Sequence, residues 1–420
     1  MINHYELKDA IILIHQIASR CLKCKAPQCR KNCPVSTPVP DIIKLVEEDR
    51  LREAAETLFA NNPLSAVCSI VCPHERNCYG HCVQGKKSEP VEFFKIEQLL
   101  SGKFLDDYTP PLIEKNNIRI AVIGSGPAGI TMSILLSLKG FRVTLMEARD
   151  KIGGVLRYGI PEFRLSREIV NRYEPILHKL GVQFKPNTFI GSSITLDDMF
   201  IDGYKAVFIA VGTAKPNKLG LLGETIGNVY YAIDYLKSPE AYRLGKNVAV
   251  VGAGNVALDA ARIAIRNIEP GGTVTIINSL SEEEMTGNKR EIAEAVDEGI
   301  NFIHLQQAIK LEEDSVKCVA VNVEESERGK VYEEDFTRVR KVPADSILVA
   351  IGQGPQGAVT ADSSVSKTHR GLVDADENGY TSTKGVFAAG DIVTGPKTVV
   401  EAVAFAKKVA VEIEKYCLEN

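Results

Sequence analysis

The spacing of apolar positions changes character near Ile118, and that change divides the chain. Before it the pattern is helical: Ala10, Ile11, Ile14, Ile17 and Ala18 recur along one helix face. Asp41 is placed to cap a helix running through IIKLVEEDRLREAAETLFA, and Asn61-Asn62-Pro63 ends it. Asp106 to Asn117, with its Pro110-Pro111 pair, reads as a linker. From Ile118 onward short apolar strands alternate with helices, which predicts a parallel sheet with crossovers. IRIAVIG is a strand, PAGITMSILLSLKG a helix and FRVTLMEA a second strand. The same order returns at Asn247 in NVAVVGAGNVALDAARIAIRN and GGTVTIINS. Between about 315 and 345, KCVAVNV and TRVRKV alternate with charged segments and predict an antiparallel hairpin.

Composition excludes several function classes. With 45% hydrophobic and 25% charged residues among 420, the chain is an ordinary globular one. A net charge of −4 leaves no whole-chain basic field for a nucleic acid. Apolar runs such as Ile11 to Ile14 are too short for a membrane span. The start, MINHYELKDAI, carries acids and no hydrophobic signal core, so the chain is read as cytoplasmic. Cysteine placement says more. Of 10 cysteines, all but Cys318 and Cys417 fall between Cys21 and Cys82, and clustered thiolates in a reducing compartment point to metal.

The first block, Cys21-x2-Cys24-x4-Cys29-x3-Cys33-Pro34, nearly reproduces the bacterial ferredoxin run, whose fourth cysteine ligates the other cluster. By that pattern Cys21, Cys24 and Cys29 hold one [4Fe-4S] cubane and Cys33 reaches a second. Cys72, Cys78 and Cys82 of the second block then complete the second cubane. The first is left one ligand short, with Cys68 nominally spare. All-cysteine zinc sites usually show paired C-x2-C knuckles, and only one such pair occurs here.

Two glycine turns follow strands and open helices, the context that gives G-x-G-x-x-G its meaning. In Gly124-Ser125-Gly126-Pro127-Ala128-Gly129 the first glycine allows the tight turn and the second lets backbone approach a pyrophosphate. The third allows close helix packing. The diphosphate then meets N–H groups at a helix N-terminus. Glu147 ends the next strand, where a carboxylate accepts ribose hydroxyls. Far along the chain, Gly385 to Gly390 and Asp391 form a strand ending in an acid for a ribityl hydroxyl. Thr398, Val399 and Val400 start a helix whose positive end suits a reduced flavin ring. Together these segments predict an FAD site. Gly252-Ala253-Gly254-Asn255-Val256-Ala257, with Asp259 after it, repeats the diphosphate logic with a permitted alanine in third place. The following strand ends in Asn278 and Ser279, with neither a carboxylate nor an arginine at its tip. This favours NAD(H) over NADP(H), although Lys289 and Arg290 stand near enough to supply charge.

The predicted fold is α/β. An N-terminal α-helical iron–sulfur domain (1–112) precedes two Rossmann-like nucleotide-binding domains of the disulfide-oxidoreductase type. The FAD domain is discontinuous (113–235 and 345–420) and the NAD(P) domain covers 236–344. Disulfide reductases of this architecture pass electrons from flavin to a nearby cysteine pair. The body here has only Cys318 and Cys417, some hundred residues apart, so the clusters are the evident exit. A flavin takes two electrons together and cubanes carry one each, which orders the path as nicotinamide, FAD, cluster, cluster.

With these motifs assembled, the chain resembles the glutamate synthase small subunit family, and with it the flavin and iron–sulfur portion of dihydropyrimidine dehydrogenases. The resemblance is carried by SRCLKCKAPQCRKNCP, EAAETLFANNPLSAVCSIVCP, VIGSGPAGI, GGVLRYGIPEFRL, VVGAGNVALDAAR and VFAAGDIVTGPKTVVEAV, which span nearly the whole chain. It implies that the incomplete cubane takes a Glu or Gln after the second cysteine block, here Glu97 ahead of Gln98, and that Cys68 is not a ligand. It also implies that Val155 and Arg164 contact FAD. Family members using NADPH place arginine where this chain has Asn278 and Ser279, which agrees with the NAD preference. The expected function is NAD(P)H oxidation, feeding a separate catalytic oxidoreductase subunit or a ferredoxin-like acceptor. No side chain is required as a catalytic nucleophile. A subunit of a flavin-based electron-bifurcating complex shares all these motifs, and a non-enzymatic redox-sensing module is the alternative of a different class.

Overall fold

The computed structural model describes residues 4–191, 193–326, 329–361 and 363–419. It divides into two compact units. One comprises Met1–Arg157, Glu162–Thr213 and Pro355–Asn420, the other Tyr158–Pro161 and Ala214–Gly354.

The first unit joins a helical region to a five-stranded sheet. Helices His4–Ser19, Val39–Glu47, Leu51–Asn61 and Phe93–Asp106 pack on one core, to which Ile14, Ile17, Ile42, Ile43, Leu58 and Ile96 contribute buried side chains. Each such side chain is worth about 1.5–3 kcal/mol of burial. The single long helix expected after Asp41 is two. Pro40, with its fixed φ, lies in the first turn, so the helix starts at Val39 and Asp41 sits inside that turn rather than at its cap. The helix stops at Glu47, Asp49 takes a left-handed φ of 58°, and a second helix starts at Leu51. The break folds Ala54, Ala55 and Leu58 back onto the same core as Ile42 and Ile43, which a continuous rod would not do.

The sheet of this unit runs Val386–Ala388, Ala206–Ile209, Arg119–Ile123, Arg142–Met146, Gln183–Lys185, all parallel. Helix Pro127–Leu138 makes the crossover between the two strands that flank the first glycine turn, and is buried over most of its surface. Such burial on both faces explains the continuous apolar runs of these strands.

The second unit repeats this plan. Its parallel sheet runs Val229–Tyr231, Ser346–Val349, Asn247–Val251, Thr273–Ile277, Asn301–Ile303. Strands on both sides of the expected 236 and 344 boundaries therefore belong to this sheet. The charged stretch forms a three-stranded antiparallel sheet of Gln306–Leu311, Ser315–Ser326 and Gly329–Pro343. Among the described residues no helix is long and apolar enough to cross a membrane.

One polar cluster ties this unit together. Arg262, 6% exposed at its side chain, meets Glu298 at 2.6 Å and Glu294 at 3.0 Å, and Arg266 also reaches Glu298 at 2.6 Å. Hydrogen bonds from Arg266 and then Arg262 hold the Glu298 carboxyl down at about 2. A carboxyl lowered in the fold stabilises fully above its unfolded value, about 4.3, and that contribution is lost as pH falls towards 2. Glu298→Gln is expected to cost about 2 kcal/mol in urea unfolding at pH 7, because it leaves Arg262 buried with one carboxylate fewer. The deficit should shrink at pH 3; an equal deficit at both values would show that ionisation of this pair does not contribute.

Candidate functional site

The eight cysteines of the amino-terminal region are free thiols. The structure sorts them into two sets, and not as the sequence order suggests. Cys21, Cys24, Cys29 and Cys82 are mutual electrostatic neighbours, and Cys21, Cys29 and Cys82 pack against the same apolar core. Cys33, Cys68, Cys72 and Cys78 form the other set, and Glu97 faces Cys68, Cys72 and Cys78. Cys82 therefore joins the first cysteine block, and Glu97 belongs with the second set rather than completing the first. The reason is local. Between Cys78 and Cys82 the chain makes consecutive turns, with His81 N–H on the Asn77 carbonyl (3.2 Å) and Cys82 N–H on the Tyr79 carbonyl (3.1 Å). These turns separate two thiols that a four-residue spacing suggests are partners.

Burial pushes Cys29 up to about 11 and Cys78 well above its usual range. Glu97, 8% exposed, is pushed up to about 8 by desolvation alone. Gln98 is exposed. A buried carboxyl beside buried and half-buried thiols, raised by desolvation, is a donor set whose chemistry fits a positively charged iron core. Among the described residues no three such side chains converge tightly enough for one ion. Cys68 is buried beside Asn62, Cys33 and Glu97. Sequence reasoning missed the groups that address the sulfurs: Asn77 Nδ2 donates to Cys72 Sγ (3.1 Å), Val91 N–H to Cys82 Sγ (3.5 Å), and Cys33 Sγ meets Thr37 Oγ1 (3.3 Å).

In the first glycine turn the three glycines do different jobs. A Cβ on Gly129 would lie 1.8 Å from the Gly124 carbonyl oxygen, and Gly124 itself has φ +97° with Ala210 backbone 2.6 Å from its Cβ position. Both are required by the turn. Gly126 is different: its φ is −71° and a Cβ there meets nothing within 4 Å. The chain reserves open space beside the N-terminus of helix Pro127–Leu138, the space a pyrophosphate needs. Ser125 donates N–H and hydroxyl to Glu147 Oε2 (2.9 and 2.6 Å), and Arg149 N–H takes Oε1 (3.0 Å). Glu147 thus braces the turn and keeps limited acceptor capacity for a ribose. Gly153 N–H bonds the Ser125 carbonyl at 2.9 Å, and a Cβ on Gly154 would come within 2.8 Å of Gly126 Cα. This glycine pair, visible in GGVLRYGIPEFRL, is a missed part of the site. Val155 follows it, 39% exposed, and Arg164 is half-buried in the same unit.

The distant segment arrives at this turn. Gly390 comes so near that its Cβ would lie 3.2 Å from Ala128 Cβ. Asp391 accepts Lys397 N–H at 3.2 Å, and burial pushes its carboxyl up to about 7. Thr398 and Glu401 cap helix Val399–Glu419 reciprocally: Thr398 Oγ1 donates to Glu401 Oε2 (2.5 Å) and Glu401 N–H returns to Thr398 Oγ1 (3.4 Å). A cavity of about 320 Å³ is lined by Gly390, Thr394 and Phe405 together with Pro34, the residue after Cys33. The turn after Cys33 thus adjoins the segment that carries Gly390.

In the second unit, Gly252 is required where its Cβ would meet the Ala350 carbonyl at 2.3 Å, while Gly254 leaves its nearest neighbour, Thr286 Oγ1, at 3.5 Å. Asn255 and Val256 open helix Asn255–Asn267, in which Ala257 and Asp259 are buried. Asn255 Oδ1 accepts Asn288 N–H at 2.9 Å, which pins the loop over the turn. Asn278 turns inward: 5% exposed, it accepts Leu280 N–H at 3.0 Å and meets His304 Nδ1 at 3.3 Å. Ser279 beside it is half-buried. Lys289 and Arg290 are exposed, and Arg290 pairs with Glu294 at 2.9 Å. Cys318 and Cys417 are both buried, so neither forms an exposed dithiol.

Residues 118–406 match the pyridine nucleotide-disulphide oxidoreductase family, and residues 5–108 match the dihydropyrimidine dehydrogenase domain II, 4Fe-4S cluster family. The chain is 33% identical to the glutamate synthase [NADPH] small chain of Escherichia coli K12, over 94% of this chain and 89% of that one. It is 31% identical to the NAD-dependent dihydropyrimidine dehydrogenase subunit PreT of Escherichia coli O157:H7, over 95% and 93%. Among solved structures it resembles Mycobacterium tuberculosis FprA in complex with NADPH, with TM-score 0.63, 16% identity, and 72% and 85% coverage. That last likeness is one of fold.

Proposed function

The chain belongs to the pyridine nucleotide-disulphide oxidoreductase family, in the group that holds the glutamate synthase small chains. From that membership we propose an FAD and iron–sulfur electron-transfer subunit that oxidises NAD(P)H and supplies a separate catalytic partner of dihydropyrimidine dehydrogenase or glutamate synthase type. Bound FAD takes the two electrons of a hydride and two [4Fe-4S] clusters pass electrons singly. The chain's own residues bind and orient. Gly126 and the following N–H groups cradle the FAD diphosphate, Ser125 holds Glu147 against the turn, and Glu147 and Asp391 are offered to its ribose and ribityl hydroxyls. Val155 and Arg164 border the same site. The N-terminus of helix Val399–Glu419, beginning at Thr398, favours negative charge on the reduced ring. Cys21, Cys24, Cys29 and Cys82 hold one cluster; Cys33, Cys72, Cys78 and Glu97 hold the other. Residues 1–112 form the cluster domain, and the nicotinamide nucleotide binds at Gly252, Gly254, Asn255 and Val256.

The observation that most supports this reading is the cavity shared by Pro34, the neighbour of Cys33, with Gly390 and Thr394. NAD(H) is favoured over NADP(H), because the tip of strand Thr273–Ile277 offers an inward asparagine and a serine where a 2′-phosphate needs a cation. Anaerobic titration of the FAD- and iron-loaded chain tests both parts. NADH should bleach the flavin and then reduce the clusters, with kcat/KM at least about tenfold above NADPH, roughly 1.4 kcal/mol. A preference for NADPH would refute the nucleotide assignment, and flavin bleaching without cluster reduction would refute the path.

A further inference from the structure

Helix Val399–Glu419 starts in the flavin segment and, about two turns later, presents Lys407 to the cysteine-rich region. The Lys407 ammonium donates to Asn61 Oδ1 at 3.0 Å, at the end of helix Leu51–Asn61; burial pushes its pKa down, and the nearby Cys33 side chain works against that shift. It is half-buried, while its neighbour Lys408 is exposed and reaches Glu377 at 3.4 Å. Taking an ammonium out of water is costly unless negative charge compensates. One neutral amide does not provide that. A cubane ringed by three thiolates and a carboxylate does: it is a net anion, and it gains a further negative charge on reduction. A cation held beside it stabilises the reduced state more than the oxidised one, so it raises the potential. Asn61, held at the end of its helix, keeps the ammonium in place.

We propose that Lys407 is a positioning residue of the electron path, whose charge raises the reduction potential of the cluster held by Cys33, Cys72, Cys78 and Glu97 and so draws electrons out of the flavin. This rests on the two-cluster reading above. It assigns a role to a residue of the flavin domain that no cysteine motif identifies.

The test is a potentiometric titration followed by electron paramagnetic resonance on the iron-loaded chain. The signal lost in Cys78→Ser identifies the cluster concerned. In Lys407→Gln the ratio of reduced to oxidised cluster at fixed ambient potential should fall about tenfold, 59 mV for a one-electron couple. Lys407→Arg should restore most of it, and Lys415→Gln, at an exposed position further along the same helix, should leave it unchanged. An unshifted Lys407→Gln, or a shift that arginine does not restore, overturns the proposal. If glutamine and methionine at position 407 both fail to hold iron while arginine does, the requirement is still for charge; if all three fail, the side chain is a packing element and the proposal falls. A wild-type chain lacking any signal sensitive to Cys78→Ser would instead defeat the two-cluster reading itself.

Discussion

Gly126→Ala is expected to yield a folded chain that carries no flavin. The extra methyl meets no protein atom within 4 Å and the residue's φ of −71° suits alanine, so the polypeptide has no reason of its own to keep glycine there. The cofactor does: a Cβ stands where the pyrophosphate must approach the backbone. FAD affinity should fall by about 100-fold or more, some 2.7 kcal/mol, with urea stability of the flavin-free chain within about 0.5 kcal/mol of wild type. Gly129→Ala is the contrast. Its Cβ would sit 1.8 Å from the Gly124 carbonyl oxygen, so the turn itself must distort and stability should drop along with flavin. Flavin absorbance per chain and an unfolding curve separate the two. Full flavin loading in Gly126→Ala would show that the diphosphate lies elsewhere.

Cys82→Ser and Cys78→Ser are expected to remove different clusters. If Cys82 completes the ring of Cys21, Cys24 and Cys29, its loss empties that site and leaves the set containing Glu97 intact. Iron and acid-labile sulfide should fall by about half in each variant, since structural metal binding is lost when a ligand is removed. The double variant should lose nearly all. In both single variants NADH should still bleach the flavin, while onward transfer to an acceptor should fall at least about tenfold. The paramagnetic signal that disappears in Cys82→Ser should be the one that also disappears in Cys24→Ser. If it matches the one lost in Cys72→Ser instead, the pairing by sequence order was correct.

The parts of the site that were legible in the sequence are those set by short-range sterics. Gly124 and Gly129 answer to the backbone of their own turn, and the alternation of strand and helix around them follows from burial on both sheet faces. The reach of Gly390 to Ala128 was legible because a distant strand carried its own glycine and acid. What the sequence hid depends on where a turn sends a side chain. Asp49 adopts a left-handed φ in a stretch that reads as uninterrupted helix, because folding back onto Ile42 and Ile43 outweighs helix continuity. Cys78 and Cys82 separate through hydrogen-bonded turns that no spacing rule encodes. Asn278 turns inward to Leu280 and His304, a choice fixed by a strand more than twenty residues on. Lys407 and Asn61 meet across 346 positions, which only the packed unit reveals.

The account stands on electrons leaving the flavin through the amino-terminal clusters, and one measurement reaches that claim most directly. The FAD-loaded chain, prepared with and without iron and sulfide, is mixed anaerobically with NADH in the presence of a one-electron acceptor protein, and transfer is followed by stopped flow. The iron-loaded chain should bleach its flavin and pass electrons on, while the iron-free chain should bleach equally and deliver few. Equal delivery by both preparations would contradict the account.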